Sequence, residues 1–184
     1  MKRGGVGGAK TQKAGEAFEN ETLDKLIKSF GANGYEIQST RPGGLSPRGI
    51  TLSNSQENIV DLYFKAALHK DFFEPRGVKS IDYFSARLEP DTAVYSHKAK
   101  TLTIIEKKQQ TGAGSVAEKL QTCDYKMLYY STLCKPLRIN VHLFWQLGPY
   151  FVENQNGLRS VFEYMESKGS RYFFHEIPFR EFVI

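Results

Sequence analysis

The stretch that most constrains the fold of this chain runs from Asp91 to Lys108, where two runs of β-branched and apolar residues flank a polar, turn-like segment at 96–100. This pattern predicts a β-hairpin. Because successive side chains of a strand point to opposite faces, Glu106 and Lys108 follow two apolar residues on one face of the second strand. The apolar core would therefore end at this point, and a charged site would begin.

Asp91 opens the first strand of this hairpin, and its carboxylate would approach that of Glu106 across the strand pair. Two converging carboxylates repel each other and raise each other's pKa unless a cation lies between them. A divalent metal ion, which prefers oxygen ligands, suits such a pair. Lys108 beside the two acids would face an anionic substrate. The alternative is a surface hairpin that carries ordinary solvated charges.

The spacing of these residues resembles that of the PD-(D/E)XK nuclease superfamily, which includes most type II restriction endonucleases. Pro90 and Asp91 are followed, after fourteen intervening residues, by Glu106, Lys107 and Lys108. The resemblance implies an α/β (α+β) fold, a central mixed β-sheet flanked by helices, with a core in the order helix, three strands, helix, strand. It also implies that Asp91, Glu106 and Lys108 are catalytic, with Lys108 orienting the attacking water or stabilising the transition state.

The same resemblance implies a set of metal ligands. Asp91 and Glu106 would hold Mg²⁺, or Mn²⁺ as a substitute, and the carbonyl oxygen of Ile105 would complete the shell. In many members of the superfamily a glutamate of the first helix leans toward the metal, and Glu19 takes that place here, with Glu16 as its rival. Either acid would equally serve only to stabilise the positively charged start of a helix.

The implied activity is a Mg²⁺-dependent endonuclease that hydrolyses DNA phosphodiester bonds, in the form of a type II restriction enzyme making sequence-specific double-strand cuts. One active site cuts one strand, so a symmetric double-strand break predicts a homodimer. A cognate DNA methyltransferase is a further expected partner. Two alternatives stay open: a structure-specific or repair nuclease resembling a junction resolvase, and a non-catalytic nucleic-acid-binding module on a nuclease fold.

The composition indicates one globular domain. The 184 residues carry a formal net charge of +5, which permits a polyanionic partner without requiring one. Cys123 and Cys134 have no metal-ligand spacing and make no disulfide framework, so a cytoplasmic location is expected. The absence of a long apolar run predicts no contact with a membrane. The four histidines are scattered, which disfavours zinc or Ser-His chemistry.

The chain divides into two parts on this interpretation. Residues 1–14 are rich in glycine and positive charge, and we expect a flexible basic arm that lies along a phosphate backbone or only solubilises the chain. Residues 15–184 would form a single nuclease domain. Its first helix is predicted from Gly15 to Phe30 by apolar residues at helical spacing. Residues 32–88 exceed a minimal connection and are expected to be an insertion that holds a DNA-recognition surface.

Within that insertion, turn residues predict a loop or irregular hairpin at 31–52. Capping-box spacing and apolar periodicity predict a helix from Asn54 to Phe73. A strand is expected from Lys79 to Leu88. Arg41 and Arg48 have side chains that can bind DNA by hydrogen bonds to base edges.

After the hairpin, a capping box at residue 115 predicts an amphipathic helix that runs to about Leu133. Gln121 and Tyr125 resemble the glutamine-x-x-x-tyrosine signature of RecB-like members, which implies a position near DNA. Lys119 and Lys126 offer a positive flank for phosphates or are merely solvated. Alternation and periodicity further predict a strand at 137–147, a helix at 157–168 and a strand at 171–177. The remaining residues that we expect to contact DNA lie at the end of the hairpin: Lys107, Gln109 and Gln110.

Overall fold

The computed structural model describes residues 8–43, 48–110 and 116–182, and within them seven strands form one mixed sheet. The strands are β1 (Tyr35–Arg41), β2 (Gly49–Asn54), β3 (Ile59–Tyr63), β4 (Thr92–Ser96), β5 (Thr101–Lys108), β6 (Asn140–Leu147) and β7 (Ser170–Phe174). They lie side by side in chain order, antiparallel from β1 to β5 and parallel from β5 to β7. The predicted fold class, a mixed sheet flanked by helices, is confirmed.

Five α-helices of the described ranges cover this sheet: α1 (Gly8–Ala32), α2 (Val116–Leu120), α3 (Cys123–Cys134), α4 (Pro149–Glu153) and α5 (Gln155–Ser167). α3 and α5 lie on the face that carries Trp145, together with a core of aromatic residues that includes Tyr130. Phe30 of α1 and Phe182 of the C-terminal segment pack on the opposite face, in the cluster that contains Ile105. No helix in the described part of the chain is both long and apolar enough to cross a membrane.

The predicted hairpin is the pair β4–β5, in which Thr92 faces Ile105 and Ser96 faces Thr101. All of β4 is buried, and so is β5 up to its penultimate residue. The hairpin lies in the middle of the sheet, between β3 and β6. The alternative of a surface hairpin with solvated charges is therefore wrong, since Glu106 is only 2% exposed.

The helix predicted from Asn54 to Phe73 is wrong. Asn54 ends β2, and its side-chain oxygen accepts hydrogen bonds from the backbone N–H groups of Gln56 and Asn58, both at 3.0 Å. These bonds close a turn of the β2–β3 hairpin, so the capping-box spacing did not mark a helix start. The apolar residues that suggested one helix belong to the buried strand β3 and to a separate π-helix at Leu68–Phe73.

Residues 64–90, called here the β3–β4 excursion, leave the sheet after β3 and return to it before β4. Their two ends meet where the backbone N–H of Lys65 donates a hydrogen bond to the Pro90 carbonyl oxygen at 3.1 Å. The segment predicted as an insertion, residues 32–88, thus consists of two structurally different parts. Residues 35–63 supply three strands of the central sheet, including the hairpin β1–β2 expected at 31–52, and the excursion alone stands outside it.

The strand predicted from Lys79 to Leu88 is also wrong, because this segment contains a 3₁₀ turn at Ser80–Asp82 and no strand. Ile81 and Tyr83 are 70% and 47% exposed, whereas Phe84 and Leu88 of the same segment pack against the core that contains Tyr130. The apolar residues that had suggested a strand are thus divided between the surface and the core.

The helical segments differ from the predictions mainly at their ends. α1 begins at Gly8 rather than Gly15, so the second half of the segment predicted as a flexible arm is helical, and residues 1–7 lie outside the described residues. The helix predicted to run to Leu133 is two helices, α2 and α3, separated by a turn at Gln121 and Thr122. The later predictions are confirmed in type as β6, α5 and β7.

Candidate active site

The position of Asp91, immediately before β4, brings its carboxylate to the end of β5. Thr92 is paired with Ile105, so the next position along the antiparallel ladder sets Asp91 opposite Glu106. Asp91 Oδ2 accepts a hydrogen bond from the backbone N–H of Lys107 at 2.6 Å. The carboxylate thereby continues the β4–β5 ladder by one bond, which fixes it beside Glu106.

Lys108 joins the two acids. Its Nζ lies 3.3 Å from Asp91 Oδ2 and 3.2 Å from Glu106 Oε2, and it donates a further hydrogen bond to the Lys107 carbonyl oxygen at 3.0 Å. Burial alone would lower the pKa of Lys108, but the negative charges of Asp91 and Glu106 outweigh burial and raise that pKa above its ordinary value. The structure therefore brings the three predicted residues together around one cationic group.

A second lysine completes this group; the sequence had offered it as a positive flank for phosphates but not as a partner of Glu106. Lys126 Nζ on α3 lies 2.6 Å from Glu106 Oε1, in a charge contact that lacks the alignment of a hydrogen bond, and the side chain is 18% exposed. A signal was present, because Lys126 lies three residues after the buried Cys123 and four before the buried Tyr130, on the inward face of the helix. Asp91, Glu106, Lys108 and Lys126 are called here the acid–lysine site.

Trp145 lies beneath this site. It is directly paired with Glu106 in the parallel β5–β6 ladder and is fully buried. The ammonium groups of Lys108 and Lys126 lie 5.7 and 5.6 Å from its ring, within the range of cation–π attraction. The indole therefore helps to hold both lysines beside Glu106.

The segment that leads to Asp91 is fixed by its contacts at Leu88. The Leu88 backbone N–H donates to the Tyr129 hydroxyl at 3.1 Å, and its carbonyl oxygen accepts from the Tyr130 hydroxyl at 3.4 Å and from His69 Nε2 at 2.6 Å. Burial lowers the pKa of His69, which favours the neutral ring and a donating Nε2–H. α3 thus contacts Glu106 through Lys126, and it contacts the chain before Asp91 through the two tyrosines.

Lys107 and Glu19 lie on the other face of β5. Lys107 is 7% exposed, and its Nζ donates to the carbonyl oxygen of Glu19 at 3.1 Å, which ties α1 to the strand. Burial lowers the pKa of Lys107 to about 8. The carboxylate of Glu19, which was expected to lean toward the metal, pairs with Lys65 Nζ at 3.1 Å, and the side chain of its rival Glu16 lies outside the described residues.

The donor set of the acid–lysine site suits a hard divalent cation. Lys108 Nζ already lies among three oxygen atoms, those of Asp91, Glu106 and the Lys107 carbonyl, and oxygen is the ligand atom that Mg²⁺ prefers. The carbonyl oxygen beside this ammonium is that of Lys107, whereas the carbonyl oxygen expected as a metal ligand was that of Ile105. Across the described ranges, no group of three or more His, Cys, Asp or Glu side chains is placed to hold a metal. Two carboxylates and a carbonyl would leave the remaining positions of the ion to water and substrate.

The arginines predicted to contact DNA are engaged within the protein. Arg41 donates to the Leu62 carbonyl oxygen at 2.9 Å and lies over the ring of Tyr63, 4.7 Å from its centroid. Arg48 pairs with Asp71 at 2.5 Å. Neither contact brings these arginines to the acid–lysine site.

The predicted glutamines and the tyrosine lie in different surroundings. Gln109 folds over Gly148, where an added Cβ would come within 1.6 Å of the Gln109 side-chain oxygen, so a larger residue at 148 would displace it. Gln110 is partly buried. Gln121 is exposed and lines a cavity between α2 and α5, and Tyr125 is 46% exposed beside Lys126.

Comparison with known proteins does not assign this arrangement. No family model matches the chain, and no curated protein matches its sequence. The choice of function therefore depends on the geometry of the acid–lysine site.

Proposed function

We propose that this protein is a Mg²⁺-dependent nuclease that hydrolyses phosphodiester bonds in DNA. The observation that carries the proposal is the position of Lys108 Nζ between Asp91 Oδ2 and Glu106 Oε2, at 3.3 and 3.2 Å. One cation can therefore contact both acids at the end of β5. The order helix, three strands, helix, strand, which the resemblance to PD-(D/E)XK nucleases implies, corresponds to α1, β3, β4, β5, α3 and β6, with the hairpin β1–β2 added.

The residues of the site have separate roles in the proposed reaction. Asp91, Glu106 and the Lys107 carbonyl would hold Mg²⁺ or Mn²⁺, which when bound polarises a phosphate oxygen and lowers the pKa of a coordinated water. Lys108, released from the carboxylates, has three N–H donors on a flexible stem, and these orient the attacking water or neutralise a phosphate oxygen. Burial of Glu106 strengthens each of these charge interactions, because the site is largely removed from water.

The direct test is cleavage of supercoiled plasmid in Mg²⁺ by the wild-type protein and by Lys108→Ala. We expect the variant to cut about a hundredfold more slowly or worse, as for loss of a transition-state donor, while it still binds DNA in a gel-shift assay. Lys98→Ala is a matched control, since this exposed lysine lies in the turn of the same hairpin. Equal cutting rates for Lys108→Ala and wild type would refute the assignment.

The finer form of the proposal is a type II restriction enzyme that acts as a homodimer, alongside a cognate methyltransferase. Digestion of a plasmid of known sequence would then give discrete fragments with ends at one short, symmetric site. Light scattering on the protein bound to a duplex with that site would give the mass of two chains. Random fragments and a single bound chain would exclude the restriction enzyme but not the nuclease.

A structure-specific nuclease is the second candidate, and an exposed aromatic residue beside the site favours it. Tyr125, the neighbour of Lys126 on α3, is 46% exposed. Exposed aromatic rings stack on unpaired bases. Cutting of a branched or single-stranded substrate with an intact plasmid left uncut would select this candidate. Failure to hydrolyse any DNA or RNA in Mg²⁺ or Mn²⁺ would instead select a binding module.

A further inference from the structure

Lys126 is the charged residue of the acid–lysine site to which the proposed reaction gives no role. Its ammonium lies 2.6 Å from Glu106 Oε1, while Lys108 holds the other oxygen, Oε2, at 3.2 Å. Each oxygen of Glu106 therefore has its own cation. Withdrawing an ammonium from water is costly unless it is paired, so a lysine needed only for solubility would not be placed here.

The charges of the site indicate how many ions it can accept. The two carboxylates and the two ammonium groups cancel, so one divalent cation would leave two positive charges to face the phosphodiester. A second divalent cation, about 3.5–4 Å from the first as in two-metal sites, would need further carboxylate oxygens. One such oxygen, Glu106 Oε1, is already held by Lys126.

The two lysines also differ in which of them must move. Lys108 Nζ occupies the point that touches both Asp91 and Glu106, so it has to leave when a metal ion takes that point. Lys126 contacts only Oε1 of Glu106, and its side chain approaches from α3, above Trp145. It can keep this contact while a remaining N–H group reaches a phosphate oxygen, because an ammonium has three donors.

We propose that Lys126 takes the place of a second metal ion. The site holds one divalent cation between Asp91 and Glu106, and the Lys126 ammonium, still on Glu106, binds a non-bridging oxygen of the phosphate that is cut. The phosphate contact rests on the proposed nuclease function, whereas the number of ions does not.

The experiment counts bound Mn²⁺ by electron paramagnetic resonance on the full chain without DNA. The wild type is expected to bind one ion, and Lys126→Gln, which leaves Glu106 Oε1 without its cation, is expected to bind a second, weaker one. Lys126→Arg, which keeps the charge, is expected to bind one. Trp145, the single tryptophan of the chain, reports by its fluorescence that each variant is folded. Two ions or none in the wild type, or one ion in Lys126→Gln, would overturn the proposal.

Cleavage in Mg²⁺ then tests the phosphate contact. We expect Lys126→Gln to lower the rate at saturating DNA about a hundredfold, as for loss of one electrostatic donor, and Lys126→Arg to recover most of it. Lys98→Gln removes the same charge from the exposed turn of the hairpin β4–β5 and should cut at the wild-type rate. A wild-type rate in Lys126→Gln would overturn the contact. A wild type that binds one Mn²⁺ but cuts nothing would instead refute the nuclease proposal, with the ion count upheld.

Discussion

Two buried carboxylate clusters lie in the same sheet, and their partners differ in kind. Asp61 on β3 is 8% exposed and accepts hydrogen bonds from the Thr51 hydroxyl, His97 Nε2 and the Tyr63 hydroxyl, with Arg41 at 3.4 Å. This group is called the Asp61 cluster. Its donors are mostly short or ring side chains, on the neighbouring strand β2, on β3 itself and in the turn after β4, and Arg41 reaches it from β1.

The acid–lysine site has instead two carboxylates held mainly by two long, flexible side chains. Lys108 and Lys126 each carry an ammonium on a four-carbon stem, which can swing away without disturbing the backbone. The Thr51 and Tyr63 hydroxyls of the Asp61 cluster cannot leave in this way, because one is carried on a short branched side chain and the other on a rigid, buried ring. The difference indicates that Asp61 stabilises the fold, whereas the acid–lysine site can exchange its cations for a metal ion and a phosphate.

The largest expected effect is that of Glu106→Gln on the proposed reaction. The substitution removes the one charge that Lys108, Lys126 and the metal would share. We expect Mn²⁺ binding to be lost and cleavage to fall about a thousandfold, which corresponds to the several kcal/mol that a metal ion contributes to the transition state. Isothermal titration with Mn²⁺ and a plasmid assay measure the two effects. Retained binding and cutting would show that the site does not depend on Glu106.

Asp61→Asn is expected to have the converse effect. It replaces a buried charge that has four partners, so we expect the free energy of unfolding to fall by about 2–4 kcal/mol. The cleavage rate per folded molecule should stay unchanged, because Asp61 contacts none of the residues of the acid–lysine site. Urea unfolding followed by Trp145 fluorescence gives the first quantity. A loss of cleavage with unchanged stability would break the distinction between the two clusters.

The sequence predicts a cluster well only where the residues of the cluster lie close together in the chain. Asp91, Glu106 and Lys108 belong to one hairpin, where a turn and a two-residue period determine which side chains meet. The Asp61 cluster draws its partners from β1, β2, β3 and the turn after β4, and no short pattern joins them. β3 was missed because its residues from Val60 to Tyr63 are all buried, so it has no alternation that would distinguish it from a helix.

Lys126 shows where the prediction of the site stopped. The sequence placed Lys126 on an amphipathic helix but could not say which strand its side chain reaches, since that depends on how α3 packs on β6. The break between α2 and α3 at Gln121 was likewise invisible, because the apolar spacing continues across it. The sequence likewise could not show that the carboxylate of Glu19, expected to lean toward the metal, pairs with Lys65 of the β3–β4 excursion.

The pH dependence of the unfolding free energy tests the stabilising role of Asp61. Burial would raise the pKa of Asp61, but the hydrogen bonds from Thr51 and His97 and the charge of Arg41 outweigh burial and lower that pKa below its ordinary value. A carboxyl group whose folded pKa is lowered stabilises the protein above its unfolded pKa, about 3.9, and this contribution is lost as the pH falls through the folded value. We therefore expect the stability difference between wild type and Asp61→Asn to be largest near neutral pH and to shrink below about pH 4. Urea unfolding of both proteins at pH 7, 5, 4 and 3 measures it, and a constant difference would contradict the sign.

The smallest expected effect is that of His97→Gln. His97 Nε2 donates to Asp61 Oδ2 at 2.8 Å, but the side chain is 41% exposed, so water can replace part of what it supplies. We expect a loss of about 0.5–1.5 kcal/mol of unfolding free energy, the range of a single hydrogen bond, and no change in cleavage. In the double variant with Asp61→Asn the loss should be smaller than in the single variant, because the bond to a charged acceptor is already gone. Full additivity in this cycle would mean that His97 stabilises the fold through its ring contact with Tyr95, at 4.8 Å, rather than through Asp61.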